Sequence, residues 1–390
     1  MNIIFYRYNS IYESDMIDAF RQAGAQVIEI TEEMEDKDIS NARRAELLDS
    51  FIDEYSALFV YGVNYYPIIA EVCRIKNVIY ISQTVDSPIL SLFDRSICYD
   101  TNRIFLFDRA QFDLFSPHNP DRIFHLPLAS ATGRFDKVIS SISDGDRDKF
   151  SADISFVGST YREKDPYSEL KGLSKGSKER VDHIVESAAC RYDRSFMSEK
   201  PGMSLVEDIK KAAGDSFPTI KEPVSAMDEY VVSHMYIGSH LAVIERERIL
   251  NALAEHFRVD LYTRSDTSLL KGVHVHPGIR TLDEMPKVFN LSKINLNMTM
   301  RPIEKGLPLR CFDIMGSGGF LMTNYQEEIE DMFVIGADLE CYSDIDELLD
   351  KCGYYLEHEE ERAAIARRGY EKVKTSHTHI HRMNDILKSI

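Results

Sequence analysis

The sequence predicts an α/β protein with two domains, each built on a parallel sheet that helices cover on both faces. Short apolar runs alternate with segments of helical spacing over residues 1–130, and the same alternation starts again at Asp153. Strands that alternate with helices in this way form parallel sheets. The length of 390 residues also exceeds the usual size of one domain, and an apolar content of 44% is enough to fill two cores.

The composition excludes some classes of partner. The chain carries 46 Lys and Arg residues against 64 Asp and Glu residues, and a net charge of −18 would repel the phosphate backbone of a nucleic acid. Its six cysteines form no CxxC pair, which is typical of reduced thiols in a cytoplasmic protein. The chain enters a strand without a signal peptide, and no apolar run reaches the length of a membrane span. We therefore expect a cytoplasmic protein without a membrane segment.

The first domain has six predicted strands, at residues 3–8, 26–31, 57–61, 78–82, 104–107 and 123–126. Ligands of such sheets bind beyond the carboxyl ends of the strands. The sequence places Tyr8, Asn9, Asn64 and Asp86 there. Asp86 has two interpretations of equal weight, a catalytic base or ligand and a turn residue before Pro88. No GxGxxG motif follows the first strand, so a dinucleotide site is disfavoured.

Residues 136–151 lose this periodicity and are rich in Ser, Asp and Gly, which predicts a linker between the domains. The linker contains Asp144-Gly-Asp146, a triplet that can hold a divalent metal. Because it lies in a polar stretch and not at the end of an apolar strand, we interpret it as acidic surface. The histidines of the turn 377–381 do not all share one helical face, so a metal is the minority interpretation there as well.

The second domain is predicted to open with a strand that ends at Gly158. Ser159 leaves room for a close backbone approach, and Arg162 and Lys164 follow. These two cations are either exposed turn residues or donors to a bound anion. Their place at a strand end favours the second interpretation.

A polar, mainly helical segment, residues 165–244, is inserted before the alternation resumes. It is too long for an ordinary loop and is a candidate for oligomer contacts. The strand after it, at residues 259–262, leads to Thr263 and Arg264, which also fall at the predicted ligand edge.

The segment from Asn295 to Tyr325 is the most informative part of the chain. A strand, a loop that ends in Gly306 and Leu307, and a helix follow one another. This order leaves free backbone N–H groups at the helix start, where an anion is favoured. Arg310 adds donors suited to a phosphate, and Asp313 can accept hydrogen bonds from a sugar hydroxyl. The segment therefore predicts a site for a ligand that is both anionic and hydroxylated.

Cations fall at several predicted strand ends of the second domain, although the net charge of the chain is strongly negative. They are Arg162, Lys164, Arg264, Arg301, Lys305 and Arg310. A charge-assisted hydrogen bond contributes about 1.5–3 kcal/mol. Two or three such bonds beside a helix N-terminus would hold a diphosphate without a metal, so we expect these cations to gather around one diphosphate.

Several segments together resemble a known enzyme family. They are GVNYYPIIAEVC, YISQTVDSP, NRIFLFDR and IFHLPLA in the first half, and ISFVGS, GLPLRCFDIMGSGGFLMTNY and RRGYEKVKTSHTHIHR in the second. The chain resembles the CgeB-like (spore-maturation protein) glycosyltransferases of the GT-B fold. The resemblance implies two Rossmann-like domains that face each other across a cleft. It places the acceptor domain at 1–135, the nucleotide-sugar domain at 152–375 and a helix that crosses back at 376–390.

The resemblance also implies the reaction, in which a sugar moves from a nucleotide diphosphate donor, with a UDP-sugar expected, to a protein or glycan acceptor. Flagellin and envelope or spore glycans are such acceptors, and no cofactor or metal is expected. The implied donor-binding residues are Gly158, Ser159, Arg162, Lys164, Thr263, Arg264, Glu304, Gly306, Leu307, Arg310 and Asp313. The implied acceptor-binding residues are Tyr8, Asn9, Asn64 and Asp86, and the implied catalytic residues are Asp86 and Arg310. A nucleotide-sugar epimerase and a non-catalytic sugar- or protein-binding module are the alternatives.

Related GT-B enzymes bracket the donor helix with two glutamates that are separated by seven residues. The nearest match here is Glu304 and Asp313, with eight residues between them and an aspartate in the second place. The match makes Asp313 a ribose ligand with a shorter reach.

Overall fold

The computed structural model describes residues 1–192, 196–197 and 200–390. The chain forms two compact units. Unit 1 contains Met1–Ala129, Ile220–Ser225 and His377–Ile390, and unit 2 contains Ser130–Thr219 and Ala226–Ser376.

Unit 1 is built on sheet 1, a six-stranded parallel sheet. Its strands are β1 (Asn2–Tyr6), β2 (Gln26–Ile30), β3 (Phe59–Val63), β4 (Ile79–Gln83), β5 (Asn102–Leu106) and β6 (Ile123–His125). They lie in the order β2-β1-β3-β4-β5-β6. The six predicted strands are thus confirmed. Strands β3 and β5 are buried along their whole length, as expected of strands with both faces covered.

Five helices follow in the chain order of unit 1. They are α1 (Glu13–Gln22), α2 (Glu32–Glu35), α3 (Asn41–Tyr55), α4 (Pro67–Lys76) and α5 (Arg109–Phe115). The core between sheet and helices is rich in aromatic side chains. Phe20 on α1 packs edge-on against Tyr61 on β3, with ring centres 5.3 Å apart, and both side chains are fully buried.

Unit 2 is built on sheet 2, a second six-stranded parallel sheet. Its strands are β7 (Ile154–Val157), β8 (Val259–Thr263), β9 (His274–Pro277), β10 (Ile294–Asn297), β11 (Leu321–Asn324) and β12 (Glu340–Tyr342). They lie in the order β12-β11-β10-β7-β8-β9. The chain thus adds strands on one side of β7 and then returns to add the others on its opposite side. The direction in which successive strands are added to the sheet reverses between β7 and β10. This is the switch point at which such sheets bind ligands.

The helices of unit 2 cover this sheet. They are α6 (Thr132–Ile139), α7 (Asp144–Phe150), α8 (Lys175–Ala188), α9 (Met203–Ala213), α10 (Met227–Tyr230), α11 (Ser239–His256), α12 (Met285–Leu291), α13 (Leu309–Gly316), α14 (Ile329–Met332), α15 (Ile345–Glu357) and α16 (Glu359–Ser376). Between α10 and α11 the chain forms a π-helix, Val231–Gly238. Of the predicted insertion 165–244, residues 193–195 and 198–199 lie outside the described residues. None of the described helices is long and apolar enough to cross a membrane.

The predicted linker, residues 136–151, differs from the structure because most of it lies in α6 and α7. The Ser143 hydroxyl accepts from the Asp146 backbone N–H at 3.2 Å, and Asp146 Oδ2 accepts from the Ser143 backbone N–H at 2.9 Å. This reciprocal capping box starts α7. Asp146 Oδ2 also lies 3.0 Å from Lys287 Nζ on α12. Asp146 of the Asp-Gly-Asp triplet therefore caps a helix and forms an ion pair.

The last helix, α17 (His379–Leu387), belongs to unit 1. Its Arg382 donates to the Leu128 carbonyl oxygen at 2.9 Å, and the His379 ring lies 4.6 Å from the Tyr12 ring on the N-terminal side of α1. The histidine-rich turn is therefore used in packing. No group of His, Cys, Asp or Glu within the described ranges is arranged to hold a metal ion.

Helix α16 approaches its neighbours most closely at Gly369. A Cβ atom at this position would lie 2.3 Å from the Asp338 carbonyl oxygen and 3.4 Å from the Met315 sulfur on α13. Because the nearest atom belongs to the backbone, it cannot rotate away. Only glycine fits this contact without a shift of the helix.

We predict that Gly369→Ala destabilises unit 2 by about 1–3 kcal/mol, because the added methyl group overpacks this contact. Differential scanning calorimetry would measure the expected drop in melting temperature. The matched control is Gly133→Ala on α6, where a Cβ atom meets nothing within 4 Å, so stability should stay the same or rise. A melting temperature for Gly369→Ala at or above that of the parent protein would contradict the prediction.

Candidate functional site

The switch point of sheet 2 places two loops side by side. Strand β7 pairs in parallel with β10, with Ile154 opposite Ile294, so both strands end at the same edge. The loop after β7 starts at Gly158, and the loop after β10 starts at Met298. A crevice outside these two strand ends is the expected ligand position in a doubly wound sheet.

A guanidinium group that the sequence analysis did not select lies at this point. Arg246 on α11 is only 6% exposed. It donates one hydrogen bond to the Ser159 carbonyl oxygen, after β7, and another to the Met298 carbonyl oxygen, after β10, at 2.8 Å. Its Cζ atom lies 3.9 Å from the centre of the Tyr161 ring. Arg246 therefore ties both loops of the switch point together.

The charge of Arg246 has no counter-charge in direct contact. Within the part of the chain that the structure describes, no carboxylate forms an ion pair with it, and its hydrogen bonds go to neutral groups. Burial lowers the pKa of Arg246, and nearby Tyr161 opposes this effect. Even a lowered arginine pKa leaves the group charged at neutral pH. The switch point thus carries a buried positive charge that favours a bound anion.

Arg310 supplies a second guanidinium group, directly after the loop that follows β10. It lies in the first turn of α13, which follows Pro308 and has no side-chain cap from the described residues. Its Nη1 atom is 3.5 Å from Asp313 Oδ2 and contacts the Met285 sulfur. Burial lowers the pKa of Arg310, whereas Asp313 and, more weakly, Tyr161 raise it. Tyr161, which stacks on Arg246, is thus near enough to Arg310 for an electrostatic interaction.

We call Tyr161, Arg246, Arg310, Asp313 and the start of α13 the switch-point site. The structure brings together here the predicted residues Arg310 and Asp313 and the predicted helix start. Asp313 is 5% exposed, so its carboxylate is held in a largely dry position. The arrangement offers cationic donors for an anion and one carboxylate that can accept hydrogen bonds from hydroxyl groups.

The other predicted residues of the β7 loop serve its internal structure. The Ser159 hydroxyl donates to Glu163 at 2.6 Å and accepts from the Tyr161 N–H at 2.8 Å. Arg162 pairs with Asp266 at 3.5 Å, and Lys164 is exposed. Arg162 is therefore already paired with a carboxylate of the loop after β8.

Gly158, Thr263 and Arg264 lie at the strand ends as predicted, and each has a local role. A Cβ atom on Gly158 would be 2.9 Å from the Phe156 ring. The Thr263 hydroxyl accepts from the Ser265 N–H at 3.1 Å. Arg264 is exposed and covers Gly278, whose Cβ position would be 2.4 Å from its side chain.

The expectation that six cations gather around one anion is wrong for Arg301. This side chain is 7% exposed and forms a buried ion pair with Glu245 at 2.7 Å. It also donates to the Ala188 carbonyl oxygen at 2.9 Å, and its Cζ atom is 4.0 Å from the Tyr192 ring centre. Arg301 therefore holds the insertion against the sheet, and Glu245 balances its charge.

Glu304 and Lys305 line a separate cavity in unit 2, where Lys305 is 3.6 Å from Glu327. Gly306 and Leu307 are buried in the turn before α13. Of the predicted cations, only Arg310 lies at the helix start, and Arg246 supplies the charge expected of the others.

The sequence carries a signal for Arg246. Glu245 and Arg246 lie one helical turn from Leu241, Ala242, Ile249 and Leu250, which form the apolar face of α11. Charged residues on an apolar face are buried only when they are paired or functional.

In unit 1, the structure brings Tyr8, Asn64 and Asp86 together from three loops. Asn64 has a left-handed backbone (φ 60°) and donates from Nδ2 to the Tyr8 hydroxyl and to Asp86 Oδ2, both at 2.8 Å. Its Oδ1 atom accepts from the Val85 N–H at 3.0 Å, which fixes the amide orientation. Burial raises the pKa of Tyr8, and the Asp86 carboxylate raises it further, so the phenol keeps its proton.

Asn9 and Glu13 complete the first of these loops. Asn9 is exposed, has a left-handed backbone (φ 76°) and donates its N–H to Glu13 at 3.2 Å. Glu13 is fully buried and also accepts from the Tyr8 N–H at 2.8 Å and from Arg7 at 3.1 Å. The sequence analysis missed Glu13, which positions Tyr8 through the backbone.

We predict that Glu245→Ala lowers the free energy of unfolding by about 3–5 kcal/mol, because it leaves the Arg301 guanidinium buried without its carboxylate. Chemical denaturation would measure the change. The control is Asp283→Ala, which breaks an exposed 2.9 Å pair with Arg280 and should cost about 1 kcal/mol or less. Equal losses in the two variants would contradict a structural role for the Glu245–Arg301 pair.

Comparisons with known proteins agree with this architecture. Residues 246–388 match the family model described as "Glycosyl transferase-like". No curated protein sequence matches the chain.

Among similar solved structures, a glycosyltransferase from Rickettsia africae ESF-5 has a TM-score of 0.54 at 11% identity, over 99% of this chain and 98% of that one. Anabaena HepE in complex with UDP-glucose has a TM-score of 0.54 at 9% identity, over 100% and 99% of the two chains. Sucrose-phosphate synthase from Thermosynechococcus elongatus has a TM-score of 0.53 at 8% identity, over 100% and 98%. The chain therefore shares the two-domain α/β fold (GT-B) of these structures, and residues 246–388 resemble the glycosyl transferase-like family.

Proposed function

We propose that this protein is a glycosyltransferase that transfers a sugar from a nucleotide diphosphate sugar to a hydroxyl group of an acceptor. The observation that carries the proposal is the switch-point site. Within the described residues, Arg246 forms no ion pair, and Arg310 pairs with Asp313 at 3.5 Å. Two poorly compensated guanidinium groups beside a helix start favour a ligand with at least two negative charges.

The donor of this reaction would place its diphosphate at the switch-point site. The Arg310 side chain and the backbone N–H groups of Leu309 and Arg310 at the start of α13 would stabilise the charge that grows on the leaving nucleotide diphosphate. Asp313, four residues into the same helix, would accept a hydrogen bond from a ribose hydroxyl. We propose a UDP-sugar as the donor because a structural neighbour, Anabaena HepE, was crystallised with UDP and with UDP-glucose.

We further propose that the reaction needs no metal ion. The two guanidinium groups already supply cationic donors for a diphosphate, each worth about 1.5–3 kcal/mol per charge-assisted hydrogen bond.

The acceptor would bind at the loops of unit 1 that carry Tyr8, Asn64 and Asp86, and the exposed residue Asn9 adjoins them. The Tyr8 hydroxyl and Asp86 Oδ2 both lie 2.8 Å from Asn64 Nδ2, so one acceptor hydroxyl can contact both. Tyr8 could donate to the oxygen of that hydroxyl, and Asp86 could remove its proton as a general base. The acceptor is a protein or glycan of the cell surface, as the CgeB-like resemblance suggests.

We expect UDP or a UDP-sugar to raise the melting temperature of the protein in the presence of EDTA, because a ligand that binds only the folded state stabilises it. Arg310→Ala should reduce the affinity about 10- to 100-fold, the equivalent of one charge-assisted hydrogen bond. A thermal-shift titration would measure both effects, with Arg280→Ala on the surface of the same unit as the control. No shift with a broad panel of nucleotide sugars would overturn the proposed function.

We expect Asp86→Asn to slow transfer about 10²- to 10⁴-fold without changing donor affinity, since asparagine keeps the contact with Asn64 but cannot take a proton. Release of UDP from the most stabilising UDP-sugar, with and without acceptor glycans, would measure the rate. Turnover at the parent rate would exclude Asp86 as the base. Conversion of the donor to an isomeric UDP-sugar without any acceptor would instead identify an epimerase.

A further inference from the structure

Unit 2 contains a cavity of about 290 Å³, which we call the β11 cavity. Its lining residues are Tyr192, Phe196, Arg301, Ile303, Glu304, Lys305, Asn324, Tyr325, Gln326 and Glu327. Asn324 ends β11, and residues 301–305 belong to the loop after β10, so the cavity lies at the ligand edge of sheet 2. Its volume is near the lower limit of small-molecule sites, about 300 Å³.

The charged side chains that line this cavity are paired with opposite charges. Arg301 is paired with Glu245 at 2.7 Å, and Lys305 is paired with Glu327 at 3.6 Å. Glu304 is paired with His234, with 2.9 Å between Oε1 and Nε2. Paired charges attract no further ion, but their remaining lone pairs and N–H groups still form hydrogen bonds. The wall therefore suits a neutral ligand rich in hydroxyl groups, in contrast to the cationic switch-point site.

His234 is held in one orientation by its surroundings. Its ring stacks on Tyr230 with centres 3.9 Å apart and a 16° angle, and it meets the edge of Phe196 at 5.9 Å. Its Nδ1 atom lies 3.1 Å from the Tyr230 carbonyl oxygen. Because the carbonyl oxygen and the carboxylate oxygen both only accept, both ring nitrogens act as donors, Nδ1 to Tyr230 and Nε2 to Glu304.

The segment that carries His234 is fixed against the loop that carries Glu304. His234 belongs to the π-helix Val231–Gly238, and π-helical turns often occur at functional sites. A Cβ atom on Gly238 would lie 3.0 Å from Pro302 Cγ, so the backbone of the π-helix packs directly against the Pro302 ring of the loop. The distance between His234 and Glu304 is therefore set by two packed segments.

We propose that His234 is a positioning residue that holds the Glu304 carboxylate at the mouth of the β11 cavity, and that this cavity takes a neutral, hydroxylated ring. The inference deepens the proposed function: the ring is the sugar of the donor, whose diphosphate occupies the switch-point site. Only residues 305–308 separate Glu304 from the start of α13. One ligand with a diphosphate next to a sugar can therefore use both places.

In this arrangement Glu304 is one-third exposed, and the hydrogen bond from His234 reaches Oε1. The carboxylate can accept further hydrogen bonds from sugar hydroxyl groups, because each oxygen has two lone pairs. An anionic sugar would bring a third negative charge next to Glu304 and Glu327, which disfavours uronic acids and phosphorylated sugars.

The test compares UDP with UDP-sugars by thermal shift and isothermal titration calorimetry. For the parent protein, we expect the preferred neutral UDP-sugar (UDP-glucose, UDP-galactose or UDP-N-acetylglucosamine) to bind more tightly than UDP and than UDP-glucuronate. His234→Phe, which keeps the stacked ring but not the Nε2 donor, should reduce the affinity for that UDP-sugar about tenfold and leave the affinity for UDP unchanged. His234→Gln, which keeps a donor, should recover part of the loss.

The matched control is His276→Phe. His276 makes the same kind of contact, 2.7 Å from Asp260, but on the edge strand β9 and outside the cavity. It should leave both affinities unchanged. The melting temperature of each variant without ligand shows whether it folds. If His234→Phe does not fold, the affinities of His234→Gln decide whether His234 positions Glu304.

Failure of this inference is distinguishable from failure of the proposed function. If the parent protein binds neither UDP nor any UDP-sugar, the proposed function is wrong. If it binds them and His234→Phe changes the affinities for UDP and UDP-sugar equally, or changes neither, then the positioning role of His234 is wrong. If UDP-glucuronate binds more tightly than the neutral UDP-sugars, the neutral class of ligand is wrong.

Discussion

The arrangement of unit 2 depends on the guanidinium group of Arg246, which joins the loops after β7 and β10 through two carbonyl oxygens. These strands are neighbours in the sheet but lie far apart in sequence. Burying a charged group costs several kcal/mol unless its donors are satisfied, so the two hydrogen bonds make the burial tolerable. They engage two of the five N–H donors without cancelling the charge. The same side chain therefore fixes the shape of the crevice and gives it a positive potential.

The edge of sheet 2 thus has two neighbouring regions of different electrostatic character. The switch-point site contains two guanidinium groups, of Arg246 and Arg310, and one carboxylate, of Asp313. In the β11 cavity, each cation faces a carboxylate. Charge complementarity contributes more to specificity than to affinity. It therefore decides mainly which part of a ligand occupies each region. A molecule with a charged end joined to a neutral polar ring matches this order along the edge.

Much of the fold could be predicted from the sequence because buried parallel strands are short, continuous apolar runs, such as Phe59–Val63. The helix at Leu309 and the place of Arg310 were predictable for the same local reasons. The fate of the other cations was not, because ion pairs depend on residues distant in sequence: Arg301 is bound to Glu245 on another element. The polar stretch 136–151 predicts a linker, whereas the structure forms α6 and α7 there, because the capping box of Ser143 and Asp146 starts a helix within polar sequence.

The π-helix Val231–Gly238 runs without a break into α11, so His234, Glu245 and Arg246 project from one continuous spiral. Each residue of a regular helix advances the side chains by about 100°. Deletion of one residue between positions 235 and 244 would rotate the His234 imidazole by about 100° relative to the Glu245 and Arg246 side chains. Gene variants of this protein should therefore conserve the length of this segment more strictly than its composition.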